Sequence, residues 1–375
     1  MKRINLHIYP SPYKFETRIN KEVNSILEMD LADQIIIAGT WAAGLKESEL
    51  QSDKIKIRRI KTIVDSLRKN VITKVLGVLF FNIRTFIEFR NQKLSHINCH
   101  SLWVLPLCVL LKKMTKAKLI YDAHELETER VGLYGVKQKL AKWLEKSLIK
   151  HTDSIIVVGH LIAEWYKKEY DVEKLYVIRN VPQLGTATNK KSNLLREKFN
   201  IPSSDLIYIY QGVINKGRGI DIMLDAFKNV ATNNHLVIMG FGALENKVIY
   251  ASKDCQNIHF MPAVKPHEIP IYTSGADVGL IVAENLGLSY YYGMPNKLFE
   301  YLYCGLPVIT SNFPEMGKIV NDYQCGWTIS PEVSELANKI NQMDLNRMQE
   351  KKILLSKLYN DINWEEESQN LKFCF

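Results

Sequence analysis

Lys297 and Glu300 are the only charged residues in the stretch "MPNKLFEYLYCGLPVI" (294–309), and they stand three positions apart. Advancing about 100° per residue from Lys297 puts Glu300 near ~300° and Tyr301 near ~40°, with Leu298, Leu302 and Phe299 between roughly 100° and 200°. The spacing predicts a helix whose apolar side faces a core while Lys297 and Glu300 share the other side. Gly305 marks its end, and "LPVIT" (306–310) reads as the next buried strand. An exposed i,i+3 ion pair, worth a few tenths of a kcal/mol, accounts for both charges without a ligand. An anion site accounts for them equally, provided other cationic groups converge on the same edge.

Such groups are present. The run "GVINKGRGIDIMLDAF" (212–227) follows a strand pattern and places Gly212, Gly217 and Gly219 around Arg218. Glycines allow a tight turn there, a helix starting near Gly219 offers backbone N–H groups to an anion, and an arginine can fork onto phosphate oxygens. Taken alone, an ordinary glycine-rich turn is the simpler explanation, because the spacing matches neither the Walker loop nor the dinucleotide fingerprint. "GFGALENKV" (240–248) repeats the arrangement with Gly240 and Gly242, again weak by itself. In the first half, "YDAHELETER" (121–130) sets Asp122, His124, Glu125, Glu127 and Glu129 on a loop after a strand, and "INCHSLWVLP" (97–106) ends a strand at His100. Neither shows HExxH spacing. A buried, hydrogen-bonded histidine is the default for each, and one histidine makes a poor metal site.

These residues need a scaffold that gathers strand ends. Short β-rich runs alternate with helical patterns along the whole chain, which argues for parallel sheets built from strand-helix-strand units. The first half offers strands at 4–9, 33–38, 96–100, 118–123, 153–159 and 175–180. The second offers them at 206–212, 235–240, 257–261, 277–283 and 306–310. Continuous apolar strands of this kind are buried on both faces, and open parallel sheets bind ligands at their carboxyl ends. Between the two sets, "NVPQLGTATNKKSN" (180–193) has linker composition. The tail "YNDINWEEESQNLKFCF" (359–375) reads as an amphipathic helix containing Trp364 and Leu371.

At 375 residues and 46% apolar content the chain can bury two cores. Its six cysteines form no CxxC pair and the charged, alternating start is unlike a secretory leader, so a reducing, cytoplasmic setting without disulfides or zinc is expected. Apolar runs at 75–81 and 102–111 are too short to span a bilayer. The net charge of +9 is uneven: residues 1–183 hold 31 basic against 20 acidic residues, and 184–375 hold 18 against 20. The excess is densest at 53–93, with eleven basic and three acidic residues among apolar ones. A solvated basic face on helices packed by Ile60, Ile63, Val64 and Leu67 would explain it, as would an anionic membrane surface or a nucleic acid.

In this order, "YDAHELETE", "YQGVINKGRGID" and "PNKLFEYLYCGLPVI" resemble the GT-B glycosyltransferases, and within them the retaining family 4 (group 1) enzymes of a "PNKLFEY" sub-branch. The resemblance implies an α/β fold with two Rossmann-like domains facing across a cleft. Residues 1–182 would bind the acceptor, 183–360 the nucleotide-sugar donor, and 361–375 would form a helix crossing back to the first domain. It implies donor contacts from Gly212, Arg218, Gly240, Gly242, Val264, Asn296, Lys297, Leu298 and Glu300, with Glu300 on the ribose hydroxyls. His124, Arg218 and Lys297 would carry the chemistry, and Arg18, His100 and Glu125 would lie on the acceptor side. The first glutamate of the family's ExxxxxxxE motif falls on Tyr292, and a second basic position falls on Val213, whose lost charge Lys297 is placed to supply. Retaining members are thought to pass the acceptor's proton to the departing phosphate, so no metal or other cofactor is expected.

The resulting expectation is a sugar transferase that uses a nucleoside diphosphate donor, UDP favoured, and a lipid-linked or growing surface glycan as acceptor. The basic first half would rest on the inner face of an anionic membrane, with no nucleic-acid partner. A sugar-nucleotide epimerase of the same fold and a basic nucleic-acid-binding protein are the rival readings.

Overall fold

The structure is a computed structural model that describes residues 2–14, 16–65, 70–183, 186, 190–353 and 355–375. Leu67 therefore lies outside the described residues, as do 184, 185 and 187–189 of the stretch 180–193. Backbone contacts divide the chain into two units, Met1–Arg179 with Ser368–Phe375, and Asn180–Glu367.

The first unit is built on eight strands: β1 (Ile4–Ile8), β2 (Gln34–Thr40), β3 (Ser48–Leu50), β4 (Ile55–Ile60), β5 (His96–Cys99), β6 (Lys118–Ala123), β7 (Ser154–Val157) and β8 (Leu175–Val177). They lie in the order β3-β4-β2-β1-β5-β6-β7-β8, parallel except for the β3–β4 pair. Helices on both faces bury the apolar runs, and Leu6, Ile8, Ile35, Ile37, Ile97 and Ile120 are wholly inaccessible. β3 and β4 correct the expectation for residues 53–93. "IKIRRI" is a strand, and Ile60 is buried in the sheet rather than on a helix. Val64 is also buried, but Ile63 is exposed. Arg59 points inward: its guanidinium donates to the carbonyls of Pro12 (2.7 Å), Lys46 (3.0 Å) and Tyr13 (3.0 Å) and pairs with Glu49. The following helix, Val71–Phe89, starts at a capping box in which Asn70 and Thr73 exchange hydrogen bonds.

The second unit holds β9 (Leu206–Val213), β10 (Asn234–Phe241), β11 (Ile258–Pro262), β12 (Val278–Ile281), β13 (Val308–Ser311) and β14 (Gly326–Ile329). All are parallel, in the order β11-β10-β9-β12-β13-β14. β9 thus sits between strands reached by opposite chain directions, the arrangement that opens a crevice at the carboxyl edge of a doubly wound sheet.

The tail is not one continuous helix. Helices Leu355–Asp361 and Trp364–Gln369 are separated at Asn363, whose amide donates to the Tyr359 and Asn360 carbonyls while its oxygen accepts from the Glu366 N–H. One side chain thus closes one helix and caps the next. Trp364 is buried in the second unit, its N–H donating to the Pro182 carbonyl at 2.9 Å. The last residues belong to the first unit, where Asn370 donates to the Val177 carbonyl (3.0 Å) and Phe373 stacks on Tyr176. No described helix is long and apolar enough to cross a membrane, and all six cysteines are free thiols.

Candidate active site

Two loops meet at the β9–β12 switch point: residues 214–219 after β9 and 282–295 after β12. Glu284 joins them. Its carboxylate accepts from the N–H groups of Gly217 (3.2 Å) and Gly219 (3.3 Å), and its own N–H donates to the Gly217 carbonyl (3.0 Å). This corrects the expectation that the amides around Gly219 are open to an anion, since a carboxylate from the same chain already holds them. Gly219 caps the helix Ile220–Phe227 with φ of 71°, and a Cβ there would lie 1.8 Å from the Val282 carbonyl oxygen. Gly240 and Gly242 answer to the same demand. A Cβ on either would meet a carbonyl oxygen, Gly212 at 1.8 Å or Ile214 at 2.4 Å, so close backbone crossing accounts for both glycines. At Gly212 the space is shared with a side chain, because a Cβ would lie 3.3 Å from the Lys297 ammonium.

The helix that carries Lys297 spans Asn296–Tyr303, with Gly305 left-handed just beyond it (φ 74°). Leu298, Phe299, Tyr301, Leu302 and Tyr303 are all buried. Tyr301 therefore belongs to the packed side and not with Lys297; its ring lies over Gly279 of β12 and its hydroxyl accepts from the Gln211 N–H (2.8 Å). Leu298 is wholly inaccessible and its N–H donates to the Pro295 carbonyl, so its side chain offers nothing to a ligand. Asn296 is exposed at the helix start, and Val264 is half-buried in the loop after the edge strand β11.

Lys297 is folded back over the sheet edge with its ammonium 3.7 Å from the centre of the Tyr210 ring. Burial, and then the nearby Arg218 guanidinium, push its pKa down to about 7, with Glu300 acting in the opposite direction. Arg218 is half-buried and stacks over Tyr290 at 4.6 Å. Glu300 is held from beneath. Gln211 donates to its carboxylate at 2.6 Å and accepts from the Thr273 hydroxyl at 2.6 Å, so a buried amide fixes the carboxylate's position. Two cations and a positioned carboxylate thus converge at one strand edge. Gln211, Thr273, Tyr210, Tyr290 and Glu284 carry no signal of this role in the sequence, although Gln211 and Tyr210 stand beside the glycine turn. Tyr292 rests against Tyr291, and Val213 is exposed.

In the first unit the topology brings together what the sequence keeps far apart. His7 of β1, His100 after β5, and Asp122 and His124 at the end of β6 form one chain of contacts. The Asn5 amide donates to His7 Nε2 (3.1 Å), so His7 Nδ1–H donates to His100 Nε2 (2.9 Å) and His100 Nδ1–H to Asp122 Oδ2 (3.0 Å). His124 Nε2 donates to the same oxygen at 2.9 Å. Arg18 forks onto both Asp122 oxygens (3.2 and 2.8 Å), donates to the Ile178 carbonyl and pairs with Glu22 at 2.9 Å. Burial lowers His7, and lowers His100 to about 4 despite Asp122. Burial alone would raise Asp122, but Arg18 and the imidazoles hold it well below the usual carboxylate range; burial and Asp122 raise Glu22 well above it. One guanidinium thus faces two carboxylates, with Asp122 the one favoured to carry the charge.

Arg18 and His100 are both buried, which corrects their placement on an exposed acceptor surface: both bind Asp122, and His100 also lies 3.1 Å from His124 Nε2. His124 is the member that reaches solvent, with 22% of its side chain exposed, and Tyr9 lies 5.7 Å from its ring. Glu125 stands apart, paired with Arg130. The ligand atoms of His100, Asp122 and His124, and of His7, Glu22 and His100, lie within 4.8 Å of one another, close enough to share a divalent ion. Arg18 occupies both carboxylates, and the imidazole nitrogens inside the cluster already have partners, so the donor set is poorly suited to a cation.

Residues 191–354 match the sequence family described as glycosyl transferases group 1. Chitobiosyldiphosphodolichol beta-mannosyltransferase of Candida albicans is 23% identical over 253 residues, covering 60% of this chain. The chain spans about half the length of that relative, 54%. Among solved structures, sucrose-phosphate synthase of Thermosynechococcus elongatus superposes with a TM-score of 0.79 at 14% identity, over 99% of this chain and 98% of its own. Alr3699/HepE of Anabaena, solved in complex with UDP-glucose, gives 0.74 at 13% identity over 98% of each chain. The family match is confined to residues 191–354, within the second unit, and the chain as a whole has the α/β GT-B fold with a parallel sheet in each unit.

Proposed function

We propose that this chain is a retaining, metal-independent glycosyltransferase that moves a sugar from a nucleoside diphosphate donor, UDP favoured, to a lipid-linked or growing surface glycan. The observation that carries the reading is the convergence of Lys297, Arg218 and the Gln211-held Glu300 at the switch point of the second sheet. The donor's diphosphate lies against Lys297 and Arg218, and its ribose hydroxyls meet Glu300. As the bond from the sugar's anomeric carbon to the phosphate oxygen breaks, negative charge grows on the phosphate, and two fixed cations there lower the barrier. Removing one such group costs about 2.7–4 kcal/mol in other enzymes. The acceptor oxygen bonds to the anomeric carbon on the same face, and its proton passes to the departing phosphate. The positive charge that a metal would bring is supplied by the two side chains, and His124 lines the acceptor side. The Anabaena complex with UDP-glucose supports a UDP donor, and the Candida relative's name, which couples mannosyl transfer to a chitobiosyl diphosphodolichol, supports a lipid-linked acceptor.

A thermal-shift panel of nucleotides and nucleotide sugars tests the donor half, because a ligand that binds the native state raises its stability by mass action. UDP or a UDP-sugar should give the largest shift, and Arg218→Ala and Glu300→Ala should each abolish it; wild-type shifts in both variants would move the site elsewhere. Product NMR tests the rest: the new bond should keep the donor's anomeric configuration, whereas sugar isomers formed without acceptor would mark an epimerase.

The membrane half of the proposal draws support from the first unit. On the helix Val71–Phe89, Ile72, Val75, Leu79, Ile83 and Ile87 are all exposed at helical spacing, and on Val136–Ile149 so are Val136, Leu140 and Trp143. Lys74, Arg84, Lys137 and Lys139 stand among them. An apolar stripe fringed by lysine and arginine is the surface chemistry of an interfacial helix on anionic lipid. Sedimentation should show binding to phosphatidylglycerol vesicles and little to phosphatidylcholine; equal binding to both, or none, would refute it. The same protein should bind neither DNA nor RNA at physiological salt.

A further inference from the structure

Beside that helix, a surface groove of about 540 Å³ is lined by Trp41, Lys61, Thr62, Ile63, Asp65 and Arg84. Trp41 follows β2 and Lys61 follows β4, so the groove opens at the carboxyl ends of two strands on one side of the first sheet. Its charges are specific. The Lys61 ammonium lies 4.8 Å over the Trp41 ring, and Arg84 donates one N–H to the Lys61 carbonyl at 2.7 Å, leaving the rest of its fork. Asp65 is the groove's acidic residue, and its oxygens already accept from the Thr62 N–H (2.6 Å) and hydroxyl (2.8 Å). Among the described residues neither Lys61 nor Arg84 forms an ion pair, so two unpaired cations and the one Asp65 carboxylate, which is turned onto Thr62, leave the groove net positive.

The groove is also apolar on one side. Ile63 is 63% exposed, and Ile87 stands three residues beyond Arg84 on the exposed stripe of Val71–Phe89. A ligand that satisfies both sides has a multiply charged phosphate head on a hydrocarbon tail. A free phosphate would leave the apolar wall wet, and a neutral lipid would leave two cations unpaired.

Building on the proposed function, we infer that this groove binds the diphosphate of the lipid-linked acceptor, with its hydrocarbon running along the Val71–Phe89 stripe towards the membrane. The sheet sets a scale for the glycan. The β2 end and the β6 end that carries His124 are three strand intervals apart, roughly 14 Å at about 4.8 Å per interval. An acceptor anchored in the groove and reaching His124 thus carries more than a single sugar between its diphosphate and the accepting hydroxyl.

The test uses the full chain saturated with UDP, so that the second unit's diphosphate site is filled, titrated with geranyl diphosphate and separately with inorganic diphosphate. Geranyl diphosphate should bind at least tenfold more tightly than inorganic diphosphate, and Lys61→Ala/Arg84→Gln should lose at least tenfold of that affinity. Lys61→Ala alone, which removes an exposed ammonium with no hydrogen bond of its own, should lose several-fold. Both variants should keep the UDP thermal shift, which reports folding and the donor site independently of the groove. Equal affinity for the two probes would mark a free-phosphate site and overturn the inference, as would an unchanged affinity in Lys61→Ala. Loss of the UDP response in Arg218→Ala or Glu300→Ala bears on the donor site alone, so failure of the groove and failure of the proposed function are separable.

Discussion

Lys297 gives the sharpest quantitative test of the donor site. Burial and Arg218 hold its pKa at about 7, far below the 10.5 of a free lysine. Between those values the unfolded chain binds the extra proton and the folded chain does not, so this residue makes stability rise as pH climbs from 7 towards 10.5. A bound diphosphate reverses the local field. If it returns Lys297 to its ordinary range, UDP binding at pH 8 takes up about 0.9 proton, because only about a tenth of the free protein is charged there. UDP's own phosphate, with a second pKa near 6, contributes little at that pH. The charged fraction falls from about one half at pH 7 to about one hundredth at pH 9, so UDP affinity should drop roughly 50-fold across that interval. Calorimetric titration at pH 8 in phosphate and in Tris, whose ionisation enthalpies differ, measures the uptake directly. Lys297→Met should bind UDP weakly, with neither proton uptake nor a pH slope. No uptake in the native chain, or the same uptake in Lys297→Met, would refute the placement of the diphosphate against this ammonium.

Three further outcomes follow from named contacts. Gln211→Leu removes the donor to Glu300 and the acceptor of the Thr273 hydroxyl, both 2.6 Å bonds; it should cost about 1–3 kcal/mol in urea unfolding and weaken UDP binding in calorimetry. Gly240→Ala puts a Cβ 1.8 Å from the Gly212 carbonyl at φ of 158°, so it should lower the thermal midpoint sharply or prevent folding, whereas Ala at the exposed, unobstructed Gly44 should cost only the strain of its left-handed backbone. Asp122→Asn removes the charge that Arg18 and His124 donate to but leaves Glu22 free to ionise against Arg18, so it should cost about 1–3 kcal/mol in chemical denaturation.

What the sequence made legible follows from local chemistry. The apolar strands, the glycine turn around Arg218 and the face of the "PNKLFEY" helix are written in residues within one helical turn or one strand of each other. β4 is hidden in the sequence because Lys and Arg interleave with Ile in "IKIRRI", and the pattern of a basic surface masks a strand whose Arg59 is satisfied by three carbonyls brought in from elsewhere. The break at Asn363 was missed because its double capping role appears only once both helices are in place. The histidine cluster lies beyond any local pattern: His7 and His100 are 93 positions apart and meet only because β1 pairs with β5. The same holds for Glu284, 65 positions from the Gly219 amide it accepts from, and for Gln211, 89 positions from Glu300. Sequence spacing can nominate a charged residue, but the buried groups that fix its position come from the other strands of the sheet.

The central claim is that the carboxyl edge of the second sheet holds a nucleoside diphosphate. A crystal structure of the full chain with UDP tests it most directly. Phosphate oxygens should lie within hydrogen-bond reach of Lys297 Nζ and the Arg218 guanidinium, and the ribose hydroxyls on the Glu300 carboxylate, still held by Gln211. UDP bound elsewhere, or seated at that edge with Glu300 and Lys297 untouched, would contradict it.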